Sequence, residues 1–238
     1  MKSLKVIVMG TVPYKSALDL QYTLLEKRIS NEIGDTLLLL EHPHTFTIGR
    51  RGNPDNLLVN ENYLNKNSID FVKISRGGDI TYHGPGQLVG YPVFDMNIHS
   101  RDIHKYLRNL EEVIIRCLFN FGIEARRIDK LTGVWIKKAK IASIGVGIKR
   151  WVTYHGFALN VNTDLALFDM INPCGLQKVR MTSIKDWLGQ LSDIDYNLVV
   201  KEILEGFSSV FDMEITNKLD LRSRSVEEIN SEINKFLN

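Results

Sequence analysis

One thiol, one lysine and one run of glycines are the parts of this chain whose types and spacing could do chemistry. Cys174 sits in DMINPCGLQ (169–177), with Asn172-Pro173 before it and Gly175 after it. That is a turn signature with no periodic face to bury a side chain, and loops of this kind carry reactive groups disproportionately often. A cysteine becomes a nucleophile only through its thiolate, reached with a base or a neighbouring cation; the alternative is an incidental thiol. Lys140 is the candidate helper. In KIASIGVGIK (140–149), period-two counting puts Lys140 on one side with Ala142, Ile144, Val146 and Ile148. A lysine that opens an apolar strand face either reaches a pocket or extends past the strand end into solvent. In a pocket its charge would favour a thiolate, and partial burial would ease proton release. Sequence separation leaves open whether the two residues meet.

The third part is RGGDITYHGPGQ (76–87), four glycines among an arginine, an aspartate, a tyrosine and a histidine. Glycine permits close approach of backbone to a ligand as well as a tight turn, so this stretch reads as a binding wall or as a turning point. Arg76 either pairs with Asp79 or receives an anionic group. Gly145, Gly147 and Gly156 are side-chain-free points inside strand-like segments. Together they would leave a slot for a long, thin acyl chain, unless two layers simply pack tightly there. His83 and His155, beside these glycines, are candidates for proton transfer or for orienting substrate.

The rest of the composition excludes more than it suggests. Thirty basic and 28 acidic residues among 238 leave a net charge of +2, too balanced for a nucleic-acid binder by bulk electrostatics. No apolar run reaches the length needed to cross a bilayer, and MKSLKVIVMG reads as a first strand rather than a signal peptide. Two cysteines are too few for a disulfide framework, which makes a reducing, cytoplasmic setting the expectation. Cys117 falls in a helical apolar stripe and is expected to be packed in the core. The six histidines form no HExxH or Cys/His pattern, His42 and His44 around Pro43 included, so no metal is expected. No GxxxxGK[ST] phosphate loop is present, and GRRG (49–52) is too short to mark a nucleotide site.

The elements that must position these residues follow from periodicity. A helix is predicted over 13–31, ended by Gly34, and strands over 36–42, 45–49, 71–75 and 88–96. The clearest helix is 101–121, where Ile103, Tyr106, Leu107, Leu110, Val113, Ile114, Cys117, Leu118 and Phe121 form one stripe and Gly122 is placed to stop it. Segments 132–137, 140–149 and 152–162 read as an antiparallel meander. Helices are predicted over 193–211 and 225–237, the second opening with a capping-box spacing at Ser225 and Glu228. Helices interleaved with a largely antiparallel or mixed sheet give an α+β or mixed α/β domain.

RGGDITYHGPGQ, KIASIGV (140–146), HGFALNV (155–161), NPCG (172–175) and MTSIKDWLG (181–189) occur in an order that resembles the octanoyltransferases of lipoate biosynthesis. The resemblance runs from residue 1 to about 210. It implies the fold of the lipoate–protein ligase and biotin protein ligase catalytic domains over 1–210. The tail adds no match to the family; it reads as a helical C-terminal extension over 211–238 packed on the same domain, the alternative being a second small lobe. The resemblance further implies a Cys174/Lys140 dyad. The implied acyl site comprises Arg76, Gly77, Gly78, Asp79, Ile80, Thr81, Tyr82 and His83, then Ser143, Ile144 and Gly145, then Gly156, Phe157 and Ala158; Asp79 stands where the family pattern varies. The implied reaction moves an octanoyl group from the phosphopantetheine arm of octanoyl–acyl carrier protein, through a Cys174 thioester, to a lysine of apo lipoyl domains. The implied acceptors belong to 2-oxoacid dehydrogenase complexes and the glycine cleavage H protein, with no ATP, metal, nucleic acid or membrane. Arg126-Arg127, Lys137-Lys138 and Lys149-Arg150 are candidate attractors for an acidic carrier. An ATP-dependent ligase on the same fold and a non-catalytic module binding carrier or lipoyl domains are the rival readings.

Overall fold

The structure is a computed structural model that describes residues 2–172, 179–224 and 226–237. In chain order it contains β1 (Lys2–Thr11), α1 (Tyr14–Ile29), β2 (Thr36–Glu41), β3 (Thr45–Ile48), α2 (Glu61–Lys66), β4 (Asp70–Lys73), β5 (Ile80–His83) and β6 (Gln87–Val93). There follow α3 (Met96–His99), α4 (Ile103–Asn120), β7 (Arg126–Ile128), β8 (Leu131–Ile136), β9 (Ala139–Lys149) and β10 (Val152–Asn160). The chain closes with α5 (Ile184–Leu188), α6 (Tyr196–Phe211), β11 (Met213–Asp220) and α7 (Val226–Leu237).

Among the described residues, the large sheet runs β11-β1-β2-β6-β10-β9-β8-β7. β1 is parallel to both its neighbours, and every other pair is antiparallel. Because successive strand residues face opposite sides, the Leu run of β2 serves two cores. Leu37 and Leu39 join Val6, Val8, Phe157 and the α4 and α6 side chains on one face, while Leu38 and Leu40 join Ile7, Met9, Leu24 and Leu25 on the other. A smaller sheet, β4-β3-β5, buries Phe46, Ile80 and Tyr82 against Phe168 and Ile171.

The α4 helix begins at Asp102, whose Oδ1 accepts the Lys105 N–H at 3.0 Å, a side-chain N-cap. Cys117 lies in its buried stripe, and burial pushes the thiol pKa up, as expected of a packed core cysteine. Ile103 and Leu107, at the start of the same stripe, overhang a cavity instead of the core.

The predicted meander is β8-β9-β10. Three strands went unread: β5 inside the glycine segment, the short β7 ahead of the meander, and β11 inside the tail that was expected to be helical. Met213–Asp220 pairs parallel with β1 from Lys2↔Met213 to Val8↔Asp220, forming an edge of the main sheet. The α7 helix packs Ile233 and Leu237 into the second core, and Lys5 Nζ donates to the Phe236 and Leu237 carbonyls at 3.1 and 3.0 Å. Among the described residues no helix is long and apolar enough to cross a membrane.

Candidate active site

Lys140 stands where β9 is gripped from outside the sheet. Its N–H donates to Arg180 O at 2.8 Å, and its carbonyl accepts the Thr182 N–H at 3.0 Å. The segment around Met181 thus runs parallel to the start of β9. The side chain is 3% exposed, with Nζ 5.4 Å from the centroid of the Trp135 ring. A cation over an indole face is attracted by the ring quadrupole. The pocket alternative for this lysine is therefore the one observed. Cys174 lies outside the described residues, as do Pro173 and Gly175–Lys178. The chain on either side is tied down: Asn172 N donates to Asn56 O at 2.8 Å, and Arg180 is bonded to Lys140.

The glycine segment folds onto β9. Gly77 N–H donates to Val146 O at 3.0 Å, and Arg76 donates through Nη2 to Thr47 O and Oγ1 and through Nη1 to Gly77 O. Asp79 accepts from the Asn53 and Ile80 amides and from Asn56 Nδ2. It organises the neighbouring loop, and these bonds give its carboxylate a structural use. From Ile80 the chain becomes strand, so alternate side chains part company. Tyr82 donates to or accepts from His44 Nδ1 at 2.8 Å, packs among Phe46 and Phe168, and is not part of the cavity wall.

The other expected residues come together around a cavity of about 510 Å³. Lys140, Arg76, Gly77, Gly78, Asp79, Ile80, Thr81, His83, Ser143, Ile144, Gly145, Gly156, Phe157 and Ala158 all line it. The glycines in the strands are explained by packing. A Cβ at Gly145 would stand 2.9 Å from Gly77 O and 3.0 Å from Arg76 Cδ. One at Gly156 would overlap the Gly90 carbonyl oxygen, and one at Gly147 the Tyr154 ring. These positions admit neighbouring protein, so a tight crossing is one use of the missing side chains, while Gly145 and Gly156 also line the cavity.

One part of the wall, made by Tyr14, Tyr91, His83 and His155, is polar but largely uncharged, with His42 packed behind it. His42 has its Nδ1 2.7 Å from Val12 O, which can only accept; Nδ1 therefore carries the proton and Nε2 accepts from the Tyr91 hydroxyl at 2.6 Å. Burial holds His42 down at about 4 and His155 at about 3, and pushes His83 well below its ordinary value. The Tyr14 hydroxyl beside them is raised by burial to about 12. Near neutral pH these rings are neutral, and Arg76 is the cation next to them. Among the described residues, three or more His, Cys, Asp or Glu side chains nowhere gather as a metal site would need.

Sequence reading missed Tyr14, Arg51, Val89, Tyr91, Ile103, Leu107, Lys130, Leu131, Thr132 and Trp135, which with Val146 and His155 complete the wall. Trp135 had a usable signal, since β8–β9 pairing puts it opposite Lys140. Of the candidate basic pairs, Arg127 is held by Glu111 and Glu112, Lys149 by Glu26, and Lys137 lies over the Trp187 ring.

The sequence model of the lipoyl protein ligase A/B catalytic domain matches residues 13–208. An octanoyltransferase from Caldicellulosiruptor bescii is 49% identical over 210 residues, covering 87% of this chain and 91% of that protein. The chain belongs to this octanoyltransferase family. Membership makes it an enzyme of the transferase class, as the motif order implied. Lipoate-protein ligase A bound with ATP shares its fold at a TM-score of 0.74 and 19% identity, covering 99% of this chain and 94% of that one. A biotin protein ligase from Aquifex aeolicus, in complex with biotin and ATP, does so at 0.53 and 15%, covering 98% and 77%. The mixed α/β fold implied for the octanoyltransferase family is the one observed.

Proposed function

We propose that this enzyme transfers an octanoyl group from octanoyl–acyl carrier protein to the acceptor lysine of an apo lipoyl domain, through a thioester on Cys174. The observation that carries the proposal is the buried Lys140 in the wall of a mostly apolar cavity, bonded through its backbone to the segment that follows Cys174 in sequence. The volume suits a small acyl group, and relatives that match most of the chain are named octanoyltransferases.

The chemistry closes on itself. Cys174 thiolate attacks the carbonyl carbon of the carrier thioester, the carbon–sulfur bond to the carrier breaks, and the departing thiolate takes a proton from the Lys140 ammonium. The acceptor's neutral amine then attacks the Cys174 thioester. An amide forms, Cys174 leaves as thiolate, and the surplus amine proton returns to Lys140. Neither half-reaction consumes ATP, and neither needs a metal.

The test is mass spectrometry of the protein incubated with octanoyl–carrier and no acceptor. One octanoyl mass on the Cys174 peptide is expected, absent in Cys174→Ala and retained in Cys117→Ala. An adduct that survives Cys174→Ala overturns the nucleophile. Octanoylation of the lipoyl domain only from free octanoate plus ATP overturns the carrier-dependent reading in favour of a ligase.

A further inference from the structure

The Lys140 side chain rests on a glycine that is itself held by a buried carboxylate. Glu111, on α4, is fully buried, and its Oε1 accepts the Gly133 N–H of β8 at 3.0 Å. Its Oε2 accepts from Arg108 Nη1 at 2.7 Å and Arg127 Nε at 3.1 Å. Gly133 has φ +129, a backbone that side chains rarely adopt. A Cβ there would stand 2.6 Å from Lys140 Cε and 3.3 Å from its Nζ. The lysine terminus therefore lies close to both Gly133 and the Trp135 ring, and the only side chain bonded to the Gly133 amide among the described residues is Glu111.

We propose that Glu111 is a positioning residue for Lys140: by fixing Gly133 on α4 it sets the height at which the lysine terminus enters the cavity. The proposal rests on the reading of Lys140 as the proton-handling lysine. A buried carboxylate oxygen that holds a buried backbone N–H is a rigid fixture, because that donor left unpaired is costly. Displacing a reacting group by about 1 Å can lower a rate on the order of 10²-fold, so the consequence belongs to the chemical step and not to carrier affinity.

Two conservative variants separate reach from charge. Glu111→Gln keeps the reach and an oxygen for Gly133 while losing the charge; the half-exposed Arg108 and Arg127 can turn to solvent. Glu111→Asp keeps the charge but withdraws the acceptor by one methylene. Three quantities are measured on the full chain: kcat, KM for octanoyl–carrier, and the pH profile of Lys140 acetylation by acetic anhydride, read by peptide mass spectrometry in the absence of octanoyl–carrier. Glu111→Asp is expected to lose on the order of 10²-fold in kcat with KM unchanged, and to acetylate faster at Lys140. Glu111→Gln is expected to lose clearly less in kcat than Glu111→Asp, with KM unchanged and a smaller change in the Lys140 profile, because it keeps an oxygen within reach of Gly133. Glu112→Ala, which removes a partner of Arg116 and Arg127 but none of Gly133, serves as control. Equal loss in the Gln and Asp variants, a loss that appears in KM, or an unchanged Lys140 profile in the Asp variant overturns the proposal. A parent protein without transfer activity overturns the transferase reading instead, and the acetylation profiles then decide the positioning claim alone.

Discussion

Gln87 Nε2 donates to Asn160 Oδ1 at 2.9 Å, and both side chains are 1% exposed. That bond is the middle of a buried chain. His83 Nδ1–H donates to Gln87 Oε1 at 2.8 Å, Asn160 Nδ2 donates to Thr182 O at 3.0 Å, and the Thr182 N–H donates to Lys140 O at 3.0 Å. The histidine of the glycine segment is thereby joined to the backbone of Lys140 through groups that water does not reach. Asn160→Ala leaves a donor on Gln87 and the Thr182 carbonyl unpaired, for an expected loss of about 2–4 kcal/mol. Asn160→Leu should be no better, since it fills the space without restoring a bond. Urea denaturation checks both, and a stability equal to the parent would show that the chain does not act as a unit.

Lys140→Ala is expected to lower single-turnover acylation of Cys174 by roughly 10²–10⁴-fold while carrier affinity stays unchanged. Lys140→Arg should rescue poorly. Its planar fork is bulkier than an ammonium, and the terminus here already lies close to Gly133 and the Trp135 ring. A folded Lys140→Ala protein with parental acylation rates and thiol reactivity would remove the lysine from the mechanism.

Parts of this arrangement were legible in sequence for definite physical reasons. The α4 stripe and the two-faced Leu run of β2 display their periods directly, and Lys140 stood out as a charge opening an apolar strand face. β5 was hidden because four strand residues lie between glycines that mark turns. β11 reads MEITNKLD and is mostly exposed as an edge strand, so it lacks the alternation that marks a half-buried one. The cavity wall was hidden for another reason. Tyr14, Arg51, Tyr91, Ile103 and Lys130 come from five separate elements or loops, and only tertiary packing makes them neighbours. Tyr82 shows the converse: it was grouped with the site by its place in a motif, and strand alternation turns it from the cavity wall into the core behind β5.

Stability should fall as the medium is acidified through the histidine range. His42, His83 and His155 are held neutral in the fold by burial, at about 4, well below 6.5, and about 3 respectively. The unfolded chain takes up protons near 6.5 while the folded chain does not. The contribution is thus fully present above that pH and is lost as pH drops toward the folded values. Each histidine costs about 1.4 kcal/mol per pH unit in that window. Thermal melts at pH 7.5 and 5.5 should differ by several degrees, and His155→Gln should flatten the slope by one proton. A melting temperature independent of pH across this range would contradict the assigned protonation.

Two glycine substitutions should fail differently. In Gly145→Ala the new methyl meets Gly77 O and Arg76, lifting the 76–78 segment from β9 and breaking the Gly77–Val146 bond. A rise of about tenfold in KM with a stability loss near 1 kcal/mol is expected. In Gly156→Ala the methyl meets the Gly90 carbonyl inside the sheet, where nothing yields easily. There the loss is in folding, about 3 kcal/mol. Steady-state kinetics paired with denaturation distinguishes the two, and identical profiles would mean the segment is not seated on β9 as described.

The parallel pairing of β1 with β11 makes the first strand wait for one made more than 200 residues later. At synthesis rates of about 5–20 residues per second, that interval is about 10–40 s. Through it the β1 edge presents open amides and carbonyls while the helices and the β8-β9-β10 meander already have their local partners. Such an edge is a template for another strand, so nascent copies on one messenger face a hazard that finished copies do not. The same delay gives a chaperone, or a neighbouring nascent chain, a defined interval in which to act, and the bonds from Lys5 to the Phe236 and Leu237 carbonyls are the latch that ends it.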